Sequence, residues 1–488
     1  MGVSHHLSRS DGARGRLRRA GKAHDPRTVE AAVAAPGAMP LLRSSCVALT
    51  EFATDLTVLV PSDAKYAPRA RAVLSSGGVA DGVVVSEGMG YGLLLAGVAL
   101  ASEPRESECW RKALSLGEEL FAGWRLMCER TRNSCQAYAP AMCGGRVKRT
   151  GEPSRGTVAC LPAWQFDVEL RRQRSSGSAA DADEDTLLGL VLMVEATDAA
   201  AWPSRPAAQL WAYETARAFL QYNTAAAGAA RLTRLGSCWG GWDCNNPSYL
   251  APAHYRAFRA FMLRHAKEYG KASEASAAAG NWDALVRGSY AMLRDAQCAH
   301  TGLTPNWWQP AGPQRPRGAA GCNSSGTSAD EFGAEASRGV WRVALDALWT
   351  PAPWAGEAPP PSWEYSRRVG SHLVSKLNLS DVANFSALDA GCAVASVHAG
   401  WQWQGFIYGP LSAALMLPLE TEKERQKKAL AALAAHIGAA PRRDRADYYH
   451  GSWLAIATVT LNGDLGRACA RLLGADNCPA AGEALTVE

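Results

Sequence analysis

The sequence predicts an all-α protein of paired helices arranged around one centre. Three observations carry this. Apolar residues recur at three- and four-residue spacing along most of the chain. Alanine, the strongest helix former, is abundant. Alternating β-branched residues are confined to 57–60 and 83–85, too little for a sheet-based core. The first expected helix, 88–100, follows a glycine-rich turn and contains the longest apolar run, 93–100, of core-helix length. Helices over 110–128, 183–198, 207–224, 252–271, 282–299 and 337–348 follow from the same spacing, as do 362–377, 386–402, 411–417, 422–437 and 449–461. No fixed-period repeat links them, so a solenoid is not expected. The Gly/Pro/Ser-rich stretch 309–328 and the Pro-rich stretch 350–361 read as long surface loops, because the motifs described below lie on both sides of each.

The 488 residues are 47% hydrophobic and 20% charged, a globular composition with a formal net charge of +5. That excess is carried by residues 1–50, where seven arginines and Lys22 face Asp11, Asp25 and Glu30. We expect 1–50 to be a basic, disordered N-terminal segment and 51–488 to be one helical domain, which holds the motifs described below. A chain otherwise near neutrality lacks the clustered basic face of a nucleic-acid binder. No apolar run approaches a transmembrane length, and 31–39, interrupted by Pro36, does not read as a secretory signal core. The thirteen cysteines include a cluster at Cys128, Cys135, Cys143 and Cys160 and a pair at Cys238 and Cys244. Without Cys-x-x-Cys or His-Glu-x-x-His spacing they suggest disulfides or buried thiols rather than zinc.

Tryptophan is unusually frequent, 17 residues, and several lie beside Gly, Pro or Asn: Trp239, Trp242, Trp307, Trp308, Trp354, Trp401 and Trp403. Loop-borne rings suggest exposed flat surfaces on which the apolar faces of sugar rings stack. Cleaving a glycosidic bond needs a protonated carboxyl group to donate to the leaving oxygen and an ionised one to act as base or nucleophile. Three segments offer candidates. Glu87 lies in Ser86-Glu87-Gly88-Met89-Gly90-Tyr91-Gly92, whose glycines permit close approach and whose Ser86 can cap the next helix. Asp181 opens the acid cluster Asp181-Ala182-Asp183-Glu184-Asp185. Glu335 lies in Phe332-Gly333-Ala334-Glu335-Ala336-Ser337-Arg338-Gly339-Val340-Trp341-Arg342, with Arg338 one helical turn on.

These segments resemble glycoside hydrolase family 8. The first resembles the catalytic-acid motif (Thr/Val)-Ser-Glu-Gly-Met-Gly-Tyr-Gly. The second is similar to Ala-(Ser/Thr)-Asp-(Ala/Gly)-Asp, with Ala180 at the hydroxyl position. The third is similar to Phe-x-Tyr-Asp-Ala-x-Arg-x-Pro-Trp-Arg, with Ala334, Glu335 and Val340 at the Tyr, Asp and Pro positions. Ala163-Trp164-Gln165, Asn246-Pro247-Ser248-Tyr249-Leu250-Ala251-Pro252, Gly302-Leu303-Thr304-Pro305-Asn306-Trp307 and Asp447-Tyr448-Tyr449 add matches in the same order, over about residues 83–460.

The resemblance implies an (α/α)6 barrel that cleaves β-1,4-linked glycans internally with inversion, its acid and base roughly 6.5–9.5 Å apart. It implies Glu87 as general acid, Asp181 as the residue holding the sugar at the cleavage point, and Glu335 as base oriented by Arg338, with Asp330 and Glu331 as alternative bases. Trp164, Trp239, Tyr249, Tyr448 and Tyr449 are expected to contact sugar rings or hydroxyls. Glu in place of Asp moves the carboxylate about 1.5 Å outward on a fixed backbone; the space left by Ala334 would let it fold back. The expected substrate is a cellulose-type β-1,4-glucan, with xylan or chitosan as alternatives. A catalytically impaired glycan-binding protein, an (α/α)6 lyase and a terpenoid cyclase are the competing classes. Acid–base hydrolysis requires no metal or organic cofactor. Secretion is expected from the resemblance, as are a monomeric state and no membrane span.

Overall fold

A computed structural model describes residues 42–61, 69–75, 82–132, 160–269, 271–309, 332–350, 358–376, 404–419, 421–440, 442–475 and 478. Helix α1 (Ser45–Leu56) leads into a small antiparallel sheet of β1 (Thr57–Leu59), β2 (Arg71–Ser75), β3 (Val83–Val85) and β4 (Gln165–Asp167), in that spatial order. Then come α2 (Ser86–Ser102), α3 (Glu108–Arg130), α4 (Ala180–Ala196) and α5 (Arg205–Tyr222), followed by the hairpin β5 (Thr224–Ala227) and β6 (Ala230–Thr233). A 3₁₀ turn (Pro247–Tyr249) precedes α6 (Pro252–His265) and α7 (Ala272–Ala296). The chain continues through α8 (Ala334–Trp349), α9 (Pro361–Lys376), a π-turn (Gln404–Tyr408), α10 (Gly409–Ser412), α11 (Lys423–Ala439), α12 (Arg442–Arg445), α13 (Tyr448–Leu461) and α14 (Asp464–Leu473).

Helices α2, α4, α6, α8, α10 and α13 pack each on the next, and α13 returns to α2, closing a ring. Outside it, α3, α5, α7, α9 and α11 pack on their inner partners, and α1 packs on α13. This is an (α/α)6 barrel. The inner helices are apolar nearly all round: every residue of α2 except Ser102 is buried, as expected for a helix enclosed by neighbours. The outer helix α3 instead carries one apolar stripe, including Trp110, Ala113, Leu116, Leu120 and Trp124. Amphipathic α14 packs across α2, α4, α6, α8 and α13. The Trp349 indole at the end of α8 donates to the Leu465 carbonyl at 2.9 Å, and Arg264 near the end of α6 donates to that of Leu472 at 2.7 Å. Thus α14 closes the C-terminal end of the ring and leaves its N-terminal end as the mouth.

The helix pattern expected from sequence holds among the described residues, with shifted ends, except at 411–417, where four-residue α10 runs into a 3₁₀ stretch (Ala413–Met416); the helix expected at 386–402 lies outside them. Helix α7 starts at Ala272 rather than 282 because its first turns are built of small residues, which carry little apolar periodicity. Helix α1 was not expected. It begins at Ser45, capped by the Ser44 hydroxyl, and its Cys46 is disulfide-bonded to Cys109 on α3. The folded body therefore reaches back past the expected boundary at residue 50, while 1–41 lie outside the described residues. The pair Cys469–Cys478 is also bridged; Cys160, Cys238, Cys244 and Cys298 are disulfide-bonded, and Cys128 is a buried free thiol. No described helix is long and apolar enough to cross a membrane.

The loop tryptophans correct the expectation of exposed rings. Trp307 and Trp308 are 6% and 3% exposed, and Trp242 is partly buried; of the described members of that set, Trp239, at 41%, faces solvent. Trp354, Trp401 and Trp403 lie outside the described residues. Trp124, Trp202, Trp211, Trp282, Trp341 and Trp453 are fully buried, most of them on the outer helices α3, α5 and α7 or the loop before α5, so the packed helical core accounts for much of the tryptophan content.

Candidate active site

The helix starts at the barrel mouth bring the three expected carboxylates together. Glu87 lies in the first turn of α2, Asp181 in that of α4 and Glu335 in that of α8. Helix N-termini carry partial positive charge and favour anions placed there. Strand β3 aims the first: it pairs antiparallel with β4, and the Ser86 amide donates to the Trp164 carbonyl at 2.8 Å. Ser86 does not cap α2 as expected. Val85 is the N-cap, and Ser86 is already the first helical residue.

Arg338 joins the three acids. Its Nη1 donates to Glu87 Oε1 and, at 2.8 Å, to Asp181 Oδ2, while its Nη2 donates to Glu335 Oε2 at 2.6 Å. A guanidinium fork with a hydrogen bond on each side holds the Glu87 and Glu335 oxygens no more than roughly 7 Å apart. The Arg338 guanidinium carbon also stands 5.7 Å from the Tyr249 ring centroid.

The environments of the three carboxylates differ. The Glu87 side chain is 9% exposed and that of Asp181 3%, whereas that of Glu335 is 25% exposed. Glu87 Oε1 accepts from the Tyr91 hydroxyl at 2.6 Å, four residues along α2, and Oε2 from the Tyr448 hydroxyl at 3.1 Å. The Trp453 indole donates to the Tyr91 oxygen at 3.2 Å, fixing that phenol. Burial, then the neighbouring Glu87 charge, push the Tyr91 and Tyr448 phenols well above their ordinary range, keeping both as donors. Tyr449 is shifted upward for the same reasons, and its ring centroid lies 4.4 Å from that of Tyr448. Asp181 is pushed up to about 7, chiefly by burial; Arg338 opposes the shift and Glu87 adds to it. Glu335 Oε2 accepts a second bond from Asn246 Nδ2 at 3.0 Å. The longer Glu side chain is thus held by two donors, one from its own helix and one from the loop before the 3₁₀ turn.

The acid cluster on α4 is not a solvated helix start: Asp181, Asp183, Glu184 and Asp185 are all buried. Asp183 accepts from Asn223 Nδ2 at 2.7 Å and Glu184 from the Tyr255 hydroxyl at 2.6 Å. Burial pushes both carboxyls well above their usual range.

Of the expected substrate contacts, Tyr249, Arg338, Tyr448 and Tyr449 gather at the carboxylates. Trp164 lies partly buried beside β4, where its backbone brackets Ser86. Trp239 lies on a loop packed against the approach to α4: the Ala180 amide donates to the Leu235 carbonyl at 3.0 Å, and Gly236 pairs with Trp239. The alternative bases Asp330 and Glu331 lie outside the described residues. Sequence reading did not single out Tyr91 or Asn246. The i,i+4 spacing of Tyr91 from Glu87 on one helix face was the available signal for the first. Among the described residues, no His/Cys/Asp/Glu group is arranged to hold a metal ion.

A closed ring of paired helices, with three carboxylates gathered on one arginine at its mouth, defines an (α/α)6 barrel with a buried acidic cluster. No family model matches the chain. It is 28% identical to Endoglucanase 2 of Ruminiclostridium josui over 200 residues, 39% of this chain and 35% of that protein. It is 27% identical to Endoglucanase A of Acetivibrio thermocellus over 276 residues, 54% of this chain and 42% of that protein. The chain thus spans less than half the length of the curated relatives it matches. Among solved structures, a β-1,3-1,4-glucanase from Paenibacillus sp. X4 superposes with a TM-score of 0.58 at 16% identity, covering 85% of this chain and 90% of that one. Rex8A from Paenibacillus barcinonensis complexed with xylose gives 0.57 at 17%, covering 86% and 93%. The curated relatives are endoglucanases, in keeping with the resemblance of the three carboxylate segments to glycoside hydrolase family 8, and the solved structures share the fold of this chain.

Proposed function

We propose that the protein is an endo-acting glycoside hydrolase that cleaves β-1,4-linked glucan of the cellulose type with inversion. Glu87 is the general acid, Glu335 the general base, and Asp181 holds the sugar at the cleavage point. The observation that carries this reading is the Arg338 fork, which gathers a buried Glu87 and a partly solvated Glu335 at one barrel mouth. By its place in the resembled catalytic-acid motif, the buried Glu87 carboxyl delivers the proton to the leaving oxygen. The wetter one suits removal of a proton from an attacking water. Arg338 compensates the negative charge of the cluster and fixes the base. The similarity to endoglucanases supports the choice of glucan.

Xylan is the second reading, favoured by the fold neighbour complexed with xylose. The disulfides support action in an oxidising, extracellular setting, where such bonds persist; we place the enzyme there, as a monomer. The test is reducing-end release from carboxymethylcellulose, xylan and chitosan, with the anomer of the first product followed by NMR. Fastest release from carboxymethylcellulose, giving the α-anomer first, is expected. Fastest release from xylan or chitosan reassigns the substrate, and binding of cello-oligosaccharides without release of reducing ends marks an impaired homologue.

A further inference from the structure

Below the Arg338 cluster the same two helices are tied a second time. Asp181 and Asp185 are four residues apart on α4, and Arg338 and Arg342 are four apart on α8, so the second pair repeats the first one helical turn deeper. Arg342 Nη2 donates to Asp185 Oδ2 at 2.6 Å, and its Nη1 donates to the Ser248 carbonyl at 2.7 Å. Ser248 belongs to the 3₁₀ turn that Asn246, which holds Glu335, precedes and that contains Tyr249, which lies against Arg338. The other Asp185 oxygen bonds His254 Nε2 at 3.0 Å, bringing in α6, which packs on both α4 and α8. All three side chains are essentially inaccessible: Arg342 and His254 are 0% exposed and Asp185 1%. None of them is needed to touch a substrate.

We infer that Arg342, braced by Asp185 and His254, is a positioning residue for the reaction: one guanidinium locks α4, α8 and the 247–249 turn into the register that sets the spacing of the carboxylates on Arg338. The inference rests on the glycosidase reading of the barrel mouth. A 1 Å displacement near the chemistry can cost about 100-fold in rate, so a buried tie between three site-bearing segments has direct catalytic consequence. The inner pair also sets the field at Asp181. That carboxyl faces Glu87 from α2, Arg338 and Arg342 from α8, and Tyr249 from the 3₁₀ turn. Asp183, Glu184 and Asp185 face it from its own helix. Of the inner pair, Arg342 lowers its proton affinity and Asp185 raises it.

The test uses the full chain carrying Asp185→Asn or Arg342→Lys, with kcat, KM, pH profile and melting temperature measured on carboxymethylcellulose, or on xylan or chitosan if the wild type prefers one of them. For Asp185→Asn, kcat is expected to fall about 10–100-fold with little change in KM. The limb of the profile governed by Asp181 should move to lower pH, because an anion is removed and the Arg342 charge is left uncompensated. Arg342→Lys keeps the charge but cannot span both Asp185 and Ser248. Its kcat should fall similarly while its pH limb stays in place, and this variant decides the matter if Asp185→Asn does not fold. An active wild type whose folded variants lose melting temperature but keep kcat within twofold and an unmoved limb overturns the inference alone. A wild type inactive on every β-1,4-glycan overturns both the inference and the reading beneath it.

Discussion

Gly97 on α2 faces Gly189 on α4 so closely that a Cβ built at Gly97 would stand 2.6 Å from the Gly189 carbonyl oxygen, and one built at Gly189 would stand 2.4 Å from the Leu93 carbonyl carbon. The obstacle in both cases is backbone, so a methyl group can be accommodated only by moving the helices apart. These helices carry Glu87 and Asp181 on their first turns. The absence of two side chains in mid-helix is therefore part of what brings two carboxylates within reach of one arginine nitrogen. Gly189→Ala is expected to destabilise the protein by about 1–3 kcal/mol, as overpacking of a core does, and to reduce activity in the fraction that stays folded. Urea unfolding alongside specific activity checks both.

Asn246 and Arg338 share the Glu335 carboxylate oxygen. Asn246→Ala removes one of two donors and leaves the Glu335 side chain, the proposed base, free to swing. A hydrogen bond to a charged group contributes about 1.5–3 kcal/mol, so kcat should fall roughly 10–100-fold with KM little changed. Steady-state kinetics on a soluble glucan would show it. A proportional rise in KM at constant kcat would instead make Asn246 a substrate contact.

Asp181 gives the fold a pH dependence of definite sign. Its carboxyl is raised from 3.8 to about 7. Between those values the folded chain holds a proton that the unfolded chain has released. The associated stabilisation is fully present below the lower value and is lost as pH rises through the upper one. Asp181→Asn mimics the protonated form at every pH. Its stability relative to wild type should therefore improve on going from pH 5 to pH 8, as measured by urea midpoints at the two values.

The Cys46–Cys109 bridge closes a loop with a sequence separation of 63 and ties α1 to α3. Replacing both cysteines with serine is expected to cost about 2–4 kcal/mol, read as a lower melting temperature for the variant than for the oxidised wild type. Activity per folded molecule should be preserved, because the bridge lies on the outer helix layer.

Much of this architecture is legible in the sequence because helical spacing survives on both inner and outer helices. Glu87 and Asp181 are legible because their neighbours are unusual: glycines packed around the first, and four acids in five residues around the second. Where reading failed, the local signal was masked. The apolar set Leu49, Phe52 and Leu56 of α1 sits beside a basic arm whose charge draws the eye. Leu465, Ala468, Cys469 and Leu472 give α14 a clear stripe in only ten residues. The loop tryptophans misled because irregular backbone need not lie on the surface. Trp307 and Trp308 are buried where the segment around Asn245 pairs with Trp308. Contacts made over long sequence distances, such as Asn246 to Glu335 or Tyr448 to Glu87, carry no sequence periodicity and become visible only once the ring has closed.

The most direct test of the central claim is the rate of reducing-end release from carboxymethylcellulose by Glu87→Gln. If the buried carboxyl at the mouth of the barrel supplies the leaving-group proton, the amide should cut kcat by about 10²–10⁴-fold, with a native circular dichroism spectrum and unimpaired binding of cello-oligosaccharides. A folded Glu87→Gln protein that turns over within twofold of wild type would contradict it.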